Sequence, residues 1–305
     1  MTRIFITGAN GMLGFELLLW LSANRAGAVT GIARRLPDLP ATGLDIRLTA
    51  TPLDGSWFSG DDAKATILHC SGLANPRIPF ASYQDLSRQE IEPNLGLVEA
   101  LVAKGWRGHL IFLSSGGTVY GDPKRLPIKE YDPTHPQSPY GLQKVVLEQG
   151  FAYLAHRHGF RLTILRVANP YGALVAKEGQ GVIPILIDAV RTGKPFTLIG
   201  SGDEVRDYIH VSDFCRAVEA VITQELFDHV NLFNIGSGQG VSLRALIEFV
   251  SDKLGKSPTI VSQPSFVDVK SNVLNIERVE QHLGWRPRIL IFDGVATLIN
   301  PGLVA

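Results

Sequence analysis

Residues 3–14 read Arg3-Ile4-Phe5-Ile6-Thr7-Gly8-Ala9-Asn10-Gly11-Met12-Leu13-Gly14. A run rich in β-formers is followed by a glycine-rich turn and then by an apolar helix pattern that reaches Leu21. This order is the context that a dinucleotide-binding site requires, because glycines allow close backbone approach and a helix N-terminus presents N–H groups to a pyrophosphate. The alternative is an ordinary turn between a strand and a helix. We predict a dinucleotide site formed by Gly8, Asn10, Gly11, Met12, Leu13 and Gly14.

The end of the second predicted strand bears on which dinucleotide is bound. Val29 to Ala33 is a short apolar strand pattern, and Arg34 and Arg35 follow it. A site for NAD usually has Asp or Glu at this point to bind the ribose 2′-hydroxyl, whereas arginine suits the 2′-phosphate of NADP. We expect Arg34 and Arg35 to contact that phosphate and favour NADP over NAD. Solvated loop arginines are the alternative.

Strand and helix patterns alternate through the first half of the chain, which is typical of an α/β fold with a parallel sheet. Further strands are predicted at 65–70, 109–113 and 161–166. A helix is predicted from Tyr83 to Lys104, with an interruption at Pro93. From about Asn169 the alternation loosens, and helices are predicted there at 182–192, 211–223, 243–254, 275–283 and 292–299. The chain is therefore expected to have a small second domain packed on the first.

Composition and charge exclude several classes of function. Lys and Arg together number 29, as do Asp and Glu, so the formal net charge is zero and nothing indicates binding to nucleic acid or an anionic membrane. Cys70 and Cys215 are too few for a disulfide framework or a metal cluster. The first residues already read as a strand, and the early apolar run 17–21 is too short to span a bilayer. We expect a cytoplasmic protein that binds no metal.

A second motif has the residues for proton chemistry. Ser138 and Pro139 suit the start of a helix, and Tyr140 and Lys144 then lie four residues apart on one face of it. An unperturbed tyrosine has a pKa of about 10, and a nearby cation favours its phenolate form. Such a phenol can act as an acid or a base near neutral pH. An exposed Tyr and Lys that merely share a helix face are the alternative.

Together the motifs resemble those of the extended short-chain dehydrogenase/reductase family, in its branch of NAD(P)-dependent nucleotide-sugar epimerases, dehydratases and ketoreductases. The resemblance covers nearly the whole chain, and its motifs lie at 7–14, 114–121, 138–144, 166–172 and 206–211.

The resemblance implies a domain organisation and an assembly. Residues 1–168 would form an NAD(P)-binding domain, a Rossmann-type doubly wound parallel sheet. Residues 169–305 would form a smaller, mainly substrate-binding domain, of which about 200–240 return to pack on the first domain. Many members pair as homodimers through the helices that correspond to about 94–104 and 140–157.

The resemblance also implies roles at the active site. Tyr140 would be the catalytic acid and base, and Lys144 would lower its pKa and hold the nicotinamide ribose. A Ser or Thr hydroxyl normally polarises the substrate oxygen. Counting back from 119–121 puts Gly116 at that position, whereas counting back from Tyr140 puts Ser115 there. We expect Ser115 to have the role, with Thr118 as the second choice.

Two further residues resemble substrate contacts of the family. Asn169 matches an Asn that contacts the substrate, and Arg206 matches an Arg that holds the phosphates of a nucleoside-diphosphate sugar. A guanidinium suits the second role because it can bind two phosphate oxygens at once. An ordinary surface charge is the alternative for Arg206.

Two reactions fit the motifs, and we expect a C4-epimerase that works through a transient 4-keto sugar. The loop 115–118 resembles epimerases more, whereas Arg34 and Arg35 resemble NADP-using reductases, so an NADPH-dependent 4-keto-sugar reductase is the alternative. Dehydration is not expected, because two glycines stand where dehydratases have an acidic pair. A non-catalytic NAD(P)-binding regulator or scaffold is a third possibility, against which the intact Tyr140 and Lys144 pair speaks.

Overall fold

The structure is a computed structural model, and it describes residues 2–24, 28–35, 47–72, 82–173, 181–224, 226, 228–264 and 269–300. Its strands are β1 (Ile4–Thr7), β2 (Val29–Ala33), β3 (Arg47–Ala50), β4 (Thr66–His69), β5 (His109–Ser115), β6 (Arg161–Val167), β7 (Asn169–Tyr171), β8 (Phe196–Ile199), β9 (Val205–His210), β10 (Val230–Ile235), β11 (Gly240–Ser242), β12 (Ile260–Gln263) and β13 (Ser271–Asn272). Its α-helices are α1 (Met12–Asn24), α2 (Tyr83–Leu86), α3 (Glu92–Ala103), α4 (Pro139–His158), α5 (Val182–Thr192), α6 (Val211–Thr223), α7 (Leu243–Leu254), α8 (Glu277–Leu283) and α9 (Ile291–Ile299). A π-helical turn, Ser87–Ile91, joins α2 to α3.

Among the described strands, seven form one parallel sheet in the order β3-β2-β1-β4-β5-β6-β10. Side chains on both faces of β1 and β4 are buried, as is typical of parallel strands that are covered by helices on two sides. The strand order reverses between β1 and β4. This confirms the predicted Rossmann-type doubly wound sheet, and folds of this kind bind ligands in the crevice outside the carboxyl ends of the strands at such a reversal.

Helices cover the two faces of the sheet and enclose two apolar cores. On one face α1 and α6 pack together, with Leu17 and Phe214 fully buried between them and the sheet. On the other face α3 and α4 pack together, and Phe112 of β5 contacts Phe151 of α4 with 4.9 Å between the ring centres. Because β1, β4 and β5 are parallel neighbours, the loops that follow them lie at the same edge of the sheet.

The second half of the chain contributes to the main sheet and also forms a third core. Within the range 200–240, α6 packs on α1 and β10 pairs with β6. Side chains of α5, α7 and α9 enclose a separate apolar cluster that includes Phe196 and Tyr208. A small sheet of β7, β9, β11 and β13 lies beside it. The division of the chain at residue 168 stays a prediction.

One helical segment differs from the expectation. The helical segment that starts at Tyr83 is interrupted by the π-turn Ser87–Ile91, and the expected interruption at Pro93 is wrong. Pro93 lies in the first turn of α3, where a proline is tolerated because that turn needs no hydrogen bond from its N–H. Within the described ranges, no helix is long and apolar enough to cross a membrane.

Candidate active site

The turn after β1 brings backbone segments closer together than side chains would allow. Gly8 has a φ of +70°, and a Cβ on it would lie 2.8 Å from the backbone of Ser71 in the loop after β4. A Cβ on Gly14 would overlap the carbonyl oxygen of Gly8, so α1 can start against the turn only because this residue is glycine. The result is a cradle of backbone atoms at the N-terminus of α1.

This cradle fits the pyrophosphate of a nicotinamide dinucleotide. The first N–H groups of a helix have no partner within it, and the helix dipole adds positive potential at the same end. Asn10 lies in the turn, and Met12 and Leu13 begin α1. That a dinucleotide contacts these residues stays a prediction, but the glycines and the helix start are the groups that such a ligand requires.

Arg34 and Arg35 lie at the same edge of the sheet. They follow β2, which pairs with β1, and both side chains are exposed, whereas Ala33 before them is buried. Exposed guanidinium groups next to the predicted cofactor site are available to an anionic ligand.

The start of α4 carries Tyr140 and Lys144 on one face. Ser138 caps this helix, because its hydroxyl accepts a hydrogen bond of 3.1 Å from the N–H of Gly141. The Nζ atom of Lys144 lies 5.6 Å from the centre of the Tyr140 ring and donates a hydrogen bond of 2.9 Å to the carbonyl oxygen of Leu113 in β5. The pair therefore lies at the carboxyl end of β5.

Burial dominates the titration of both groups. It raises the pKa of Tyr140 to about 12, although a hydrogen bond with Ser115 acts in the opposite direction. Burial lowers the pKa of Lys144 to about 8, and the charge of Glu90 opposes this change. Desolvation outweighs the hydrogen bond from Ser115, and a lowering of the Tyr140 pKa by Lys144 stays a prediction. At neutral pH the phenol is protonated.

Both candidate hydroxyls lie close to the start of α4. Ser115 interacts with the phenol of Tyr140. The hydroxyl of Thr118 is buried and has no hydrogen-bond partner among the described residues. The backbone of Thr118 lies against the start of α4, since a Cβ on Gly141 would be 2.7 Å from the Thr118 carbonyl oxygen. The structure thus brings Ser115 to the phenol directly, and the catalytic role of either hydroxyl stays a prediction.

The glycine pair after Ser115 has two different surroundings. A Cβ on Gly116 would lie 2.5 Å from the Cδ1 atom of Leu274 and 3.0 Å from the carbonyl oxygen of Arg166, so this position faces packed interior and a side chain there would require Leu274 to move. A Cβ on Gly117 would lie 3.6 Å from Oδ1 of Asn169 and 4.0 Å from Oγ of Ser115. Gly117 therefore lies between the side chains of Asn169 and Ser115, which are close enough together to contact the same ligand.

Asn169 and Arg206 are held by the small sheet. The Nδ2 atom of Asn169 donates a hydrogen bond of 2.8 Å to the carbonyl oxygen of Asp207 in β9. The half-buried guanidinium of Arg206 donates to the carbonyl oxygens of Val205 and Val269, at 2.9 and 2.8 Å. These hydrogen bonds orient the guanidinium of Arg206, which has five N–H donors in all. None of the described bonds of Arg206 reaches the start of α4, so the structure does not join it to the Tyr140 group.

A buried ion pair anchors α4 behind the site. Glu148 pairs with Arg166 of β6 through two parallel hydrogen bonds of 3.0 and 2.6 Å, and Ser114 of β5 donates to the same carboxylate. Both charged side chains are almost fully buried. A bidentate pair of this kind fixes the helix against two strands.

Two buried polar residues that the sequence did not assign to the site lie next to the catalytic candidates. Glu90 of the π-turn accepts a hydrogen bond of 2.7 Å from Nε2 of Gln143, the residue before Lys144. His69 at the end of β4 contacts Asn94 of α3 through its Nε2, at 2.7 Å, and burial lowers the pKa of this histidine to about 4.

Comparisons with known proteins indicate the family to which the chain belongs. A family model described as "NAD dependent epimerase/dehydratase family" matches residues 4–236. A dTDP-4-dehydro-6-deoxyglucose reductase of Escherichia coli is 36% identical over 240 residues, which are 77% of this chain and 74% of the reductase. A UDP-glucose 4-epimerase of Azospirillum brasilense is 28% identical over 318 residues, or 96% of this chain and 89% of the epimerase. The solved structure of MoeE5 in complex with UDP-glucuronic acid and NAD is 28% identical with a TM-score of 0.86 and covers 97% of each chain.

Proposed function

The chain belongs to the NAD dependent epimerase/dehydratase family, and we propose that it is a nucleotide-sugar C4-epimerase that works through a transient 4-keto sugar. Proteins similar to it are nucleotide-sugar epimerases and a nucleotide-sugar reductase. The observation that carries the proposal is the position of Tyr140 beside Ser115 and Lys144, at the carboxyl end of β5 and at the same edge of the sheet as the glycine cradle.

A bound nicotinamide dinucleotide supplies the hydride chemistry at C4 of the sugar. Tyr140 accepts the proton of the 4-hydroxyl as the ketone forms, and returns it when the alcohol is restored. The ammonium of Lys144 stabilises the phenolate that accepts the proton in the first step and that forms again in the second. Ser115 donates a hydrogen bond to the 4-oxygen, where negative charge develops. Asn169, across from Ser115, holds the sugar in this position.

Inversion at C4 requires that the flat keto sugar present its other face before hydride returns. Gly117 faces Asn169 and Ser115, and a side chain there would enter the space between them. A loop without side chains at this point supports a site in which the sugar can turn over. Gly116 and Gly117 have no side chains and cannot supply an acid or a base, which argues against a dehydratase.

A 4-keto-sugar reductase is the second candidate. It is supported by the 36% identity to the Escherichia coli reductase and by the exposed Arg34 and Arg35, which suit the 2′-phosphate of NADP. We propose that these arginines bind this phosphate and that the protein prefers NADP, while NAD is bound in the solved structure of MoeE5.

Activity measurements on two panels of substrates distinguish the candidates. The protein is incubated with UDP-, dTDP- and GDP-hexoses, and separately with their 4-keto-6-deoxy forms and NADPH. We expect interconversion of C4 epimers without net consumption of NADPH. Stoichiometric loss of NADPH on a 4-keto sugar, with no inversion of any hexose, would instead identify the reductase.

We also propose that two copies of the chain pair through α3 and α4. On α4, Leu142 and Tyr153 are exposed, and with the half-buried Val146 they lie on one face at intervals of four and seven residues. An apolar stripe of this kind on a helix surface supports a contact with a second copy.

A further inference from the structure

The π-turn Ser87–Ile91 places a carboxyl group in the interior beside the catalytic candidates. Glu90 is 1% exposed. A Cβ on Gly72 would lie 3.5 Å from its Oε2 atom, so the carboxyl group lies against the loop after β4. π-helical turns are rare and are frequent at functional sites. Because burying a carboxylate is costly unless it is paired, its partners indicate what it does.

The first partner is Gln143 of α4. Its Nε2 atom donates a hydrogen bond of 2.7 Å to Oε2 of Glu90. An ionised carboxylate only accepts hydrogen bonds, so this contact fixes which end of the amide faces Glu90. Gln143 lies three residues after Tyr140 and directly before Lys144. The bond therefore ties the turns that carry both catalytic candidates to the π-turn.

The second partner is the charge of Lys144. Among the described residues, the groups that interact electrostatically with this buried ammonium include His69 at the end of β4, Cys70 directly after it, Glu148 from α4 itself, and Glu90 from the π-turn. Burial keeps His69 and Cys70 neutral, since it lowers the pKa of the first to about 4 and raises that of the second to about 12. Glu148 is engaged in the ion pair with β6. Of the charges that oppose the lowering of the Lys144 pKa, Glu90 contributes most.

We propose that Glu90 is a positioning residue for the catalytic pair, which fixes the first turns of α4 through Gln143 and supplies the negative charge that keeps the buried Lys144 an ammonium. The inference rests on the proposed function in so far as Tyr140 and Lys144 are the catalytic pair. The charge of Glu90 also acts on Tyr140 and raises the pKa of its phenol. One carboxylate thus favours the protonated form of both members of the pair.

The test is the titration of Lys144 in the full-length protein. Competitive acylation at a series of pH values, followed by mass spectrometry of the Lys144 peptide, reports the protonation of this amine without turnover. Glu90→Gln keeps the size of the side chain but removes its charge. We expect the pKa of Lys144 to fall by about one unit or more, and the alkaline limb of the kcat/KM profile to move to lower pH by the same amount. An unchanged titration would overturn the proposal.

Three further variants separate charge from packing. Glu92→Gln removes an exposed carboxylate two residues away and should change neither the titration nor the rate. Glu90→Asp keeps the charge and should restore the titration of Lys144; a titration like that of Glu90→Gln would show that the charge is not responsible. Gln143→Leu keeps Glu90 but removes the hydrogen bond, and should lower kcat about tenfold, since one positioning bond typically contributes about 1 kcal/mol or more. An unchanged kcat would contradict the positioning role.

The titration also keeps this inference distinguishable from the proposed function. If the unaltered protein neither epimerises nor reduces any nucleotide sugar, the proposed function fails. The acylation data still decide whether Glu90 sets the charge of Lys144, because they do not depend on activity.

Discussion

Tyr140 must be a phenolate when it accepts the proton of the 4-hydroxyl, and it holds that proton only while the 4-keto sugar exists. Burial raises its pKa to about 12, so the neutral phenol is the resting form. Each pKa unit corresponds to about 1.4 kcal/mol, which makes phenolate formation at neutral pH costly unless a cation is close. Lys144, 5.6 Å from the ring centre, supplies that cation. The two residues are therefore needed together.

Replacement of the phenol by a phenyl ring tests this role. We expect Tyr140→Phe to lower kcat by about 100-fold or more, the usual contribution of general acid–base catalysis, while cofactor affinity is retained. Tyr153→Phe changes an exposed tyrosine on the same helix and serves as the matched control. Turnover and calorimetric cofactor binding are measured for both. A Tyr140→Phe enzyme within tenfold of the unaltered rate would mean that another group moves the proton.

The arginines after β2 give a second prediction for single residues. Replacing Arg34 and Arg35 together with Ala should weaken NADP binding by about tenfold or more, because charge-assisted hydrogen bonds contribute roughly 1.5–3 kcal/mol. NAD has no 2′-phosphate, so its affinity should change little. Calorimetry with both cofactors, on protein stripped of cofactor, measures the two effects. Equal losses for NADP and NAD would show that the arginines are merely solvated.

Sequence spacing could indicate Tyr140 and Lys144, because both lie on one regular helix. Glu90 could not be found in this way. It is 53 positions from Gln143 along the chain, and the π-turn that carries it breaks the helical period on which face assignments depend. Counting along the sequence also left position 116 and position 115 as alternatives for the catalytic hydroxyl. Only the fold shows that Ser115 interacts with Tyr140 while Gly116 packs against Leu274.

At the scale of elements, α4 is fixed at both its start and its middle. Ser138 caps the first turn, and the Glu148–Arg166 pair joins the third turn to β6. A buried pair of this kind is costly to break, because the remaining charge is left without compensation in the interior. The position of the catalytic candidates thus depends on a contact that lies outside the site.

Removing one member of this pair should destabilise the protein. We expect Glu148→Gln to lower the free energy of unfolding by about 3–5 kcal/mol, since it leaves Arg166 buried without its counter-charge. Urea denaturation measures the change. Asp203→Asn disrupts the exposed pair with Arg244, whose shortest N–O distance is 2.6 Å, and should have little effect. Similar losses for the two variants would contradict the importance of burial.

For the whole molecule, two buried histidines make folding sensitive to acid. Burial lowers the pKa of His69 to about 4 and that of His109 to about 3, whereas both are near 6.5 when unfolded. The unfolded chain therefore binds protons at a pH at which the folded chain does not. The stabilising effect is fully present above pH 6.5 and is lost as the pH falls from there towards 4.

Denaturation at two pH values tests this dependence. Between pH 7.5 and 5 each histidine should reduce the free energy of unfolding by about 2 kcal/mol. His109→Gln removes one titrating ring from the interior of β5 and should reduce the pH dependence accordingly. Equal stability of the unaltered protein at both pH values would contradict the neutral, buried state of these side chains.

The predicted pairing of two copies can be tested on the surface of α4. We expect a homodimer by light scattering, and a monomer when Leu142→Glu and Tyr153→Glu are combined, because two charges would have to be buried in the contact. Tyr131→Glu, at a tyrosine that is 75% exposed elsewhere on the surface, should leave the dimer intact. A monomer at all concentrations in the unaltered protein would contradict the pairing.

The main sheet could be predicted because its strands are apolar and separated by helices of regular period. The predicted strand 29–33 and helices 182–192 and 211–223 coincide with β2, α5 and α6. Short strands such as β11 and β13 could not be predicted, since two or three residues carry no period of their own and pair only once distant segments meet. These strands flank β9, which holds Arg206, so the surroundings of this predicted substrate contact were the least predictable part.

The fate of the hydrogen at C4 is the most direct measurement of the central claim. The protein is incubated with a nucleotide hexose that carries deuterium at C4, and the product is analysed by NMR and mass spectrometry while NADPH absorbance is followed. We predict a product that is inverted at C4 and keeps its deuterium, with no change in NADPH, because an epimerase returns the hydride that it removes. Reduction of a 4-keto sugar with equal loss of NADPH, and no inversion of any deuterated hexose, would contradict the account.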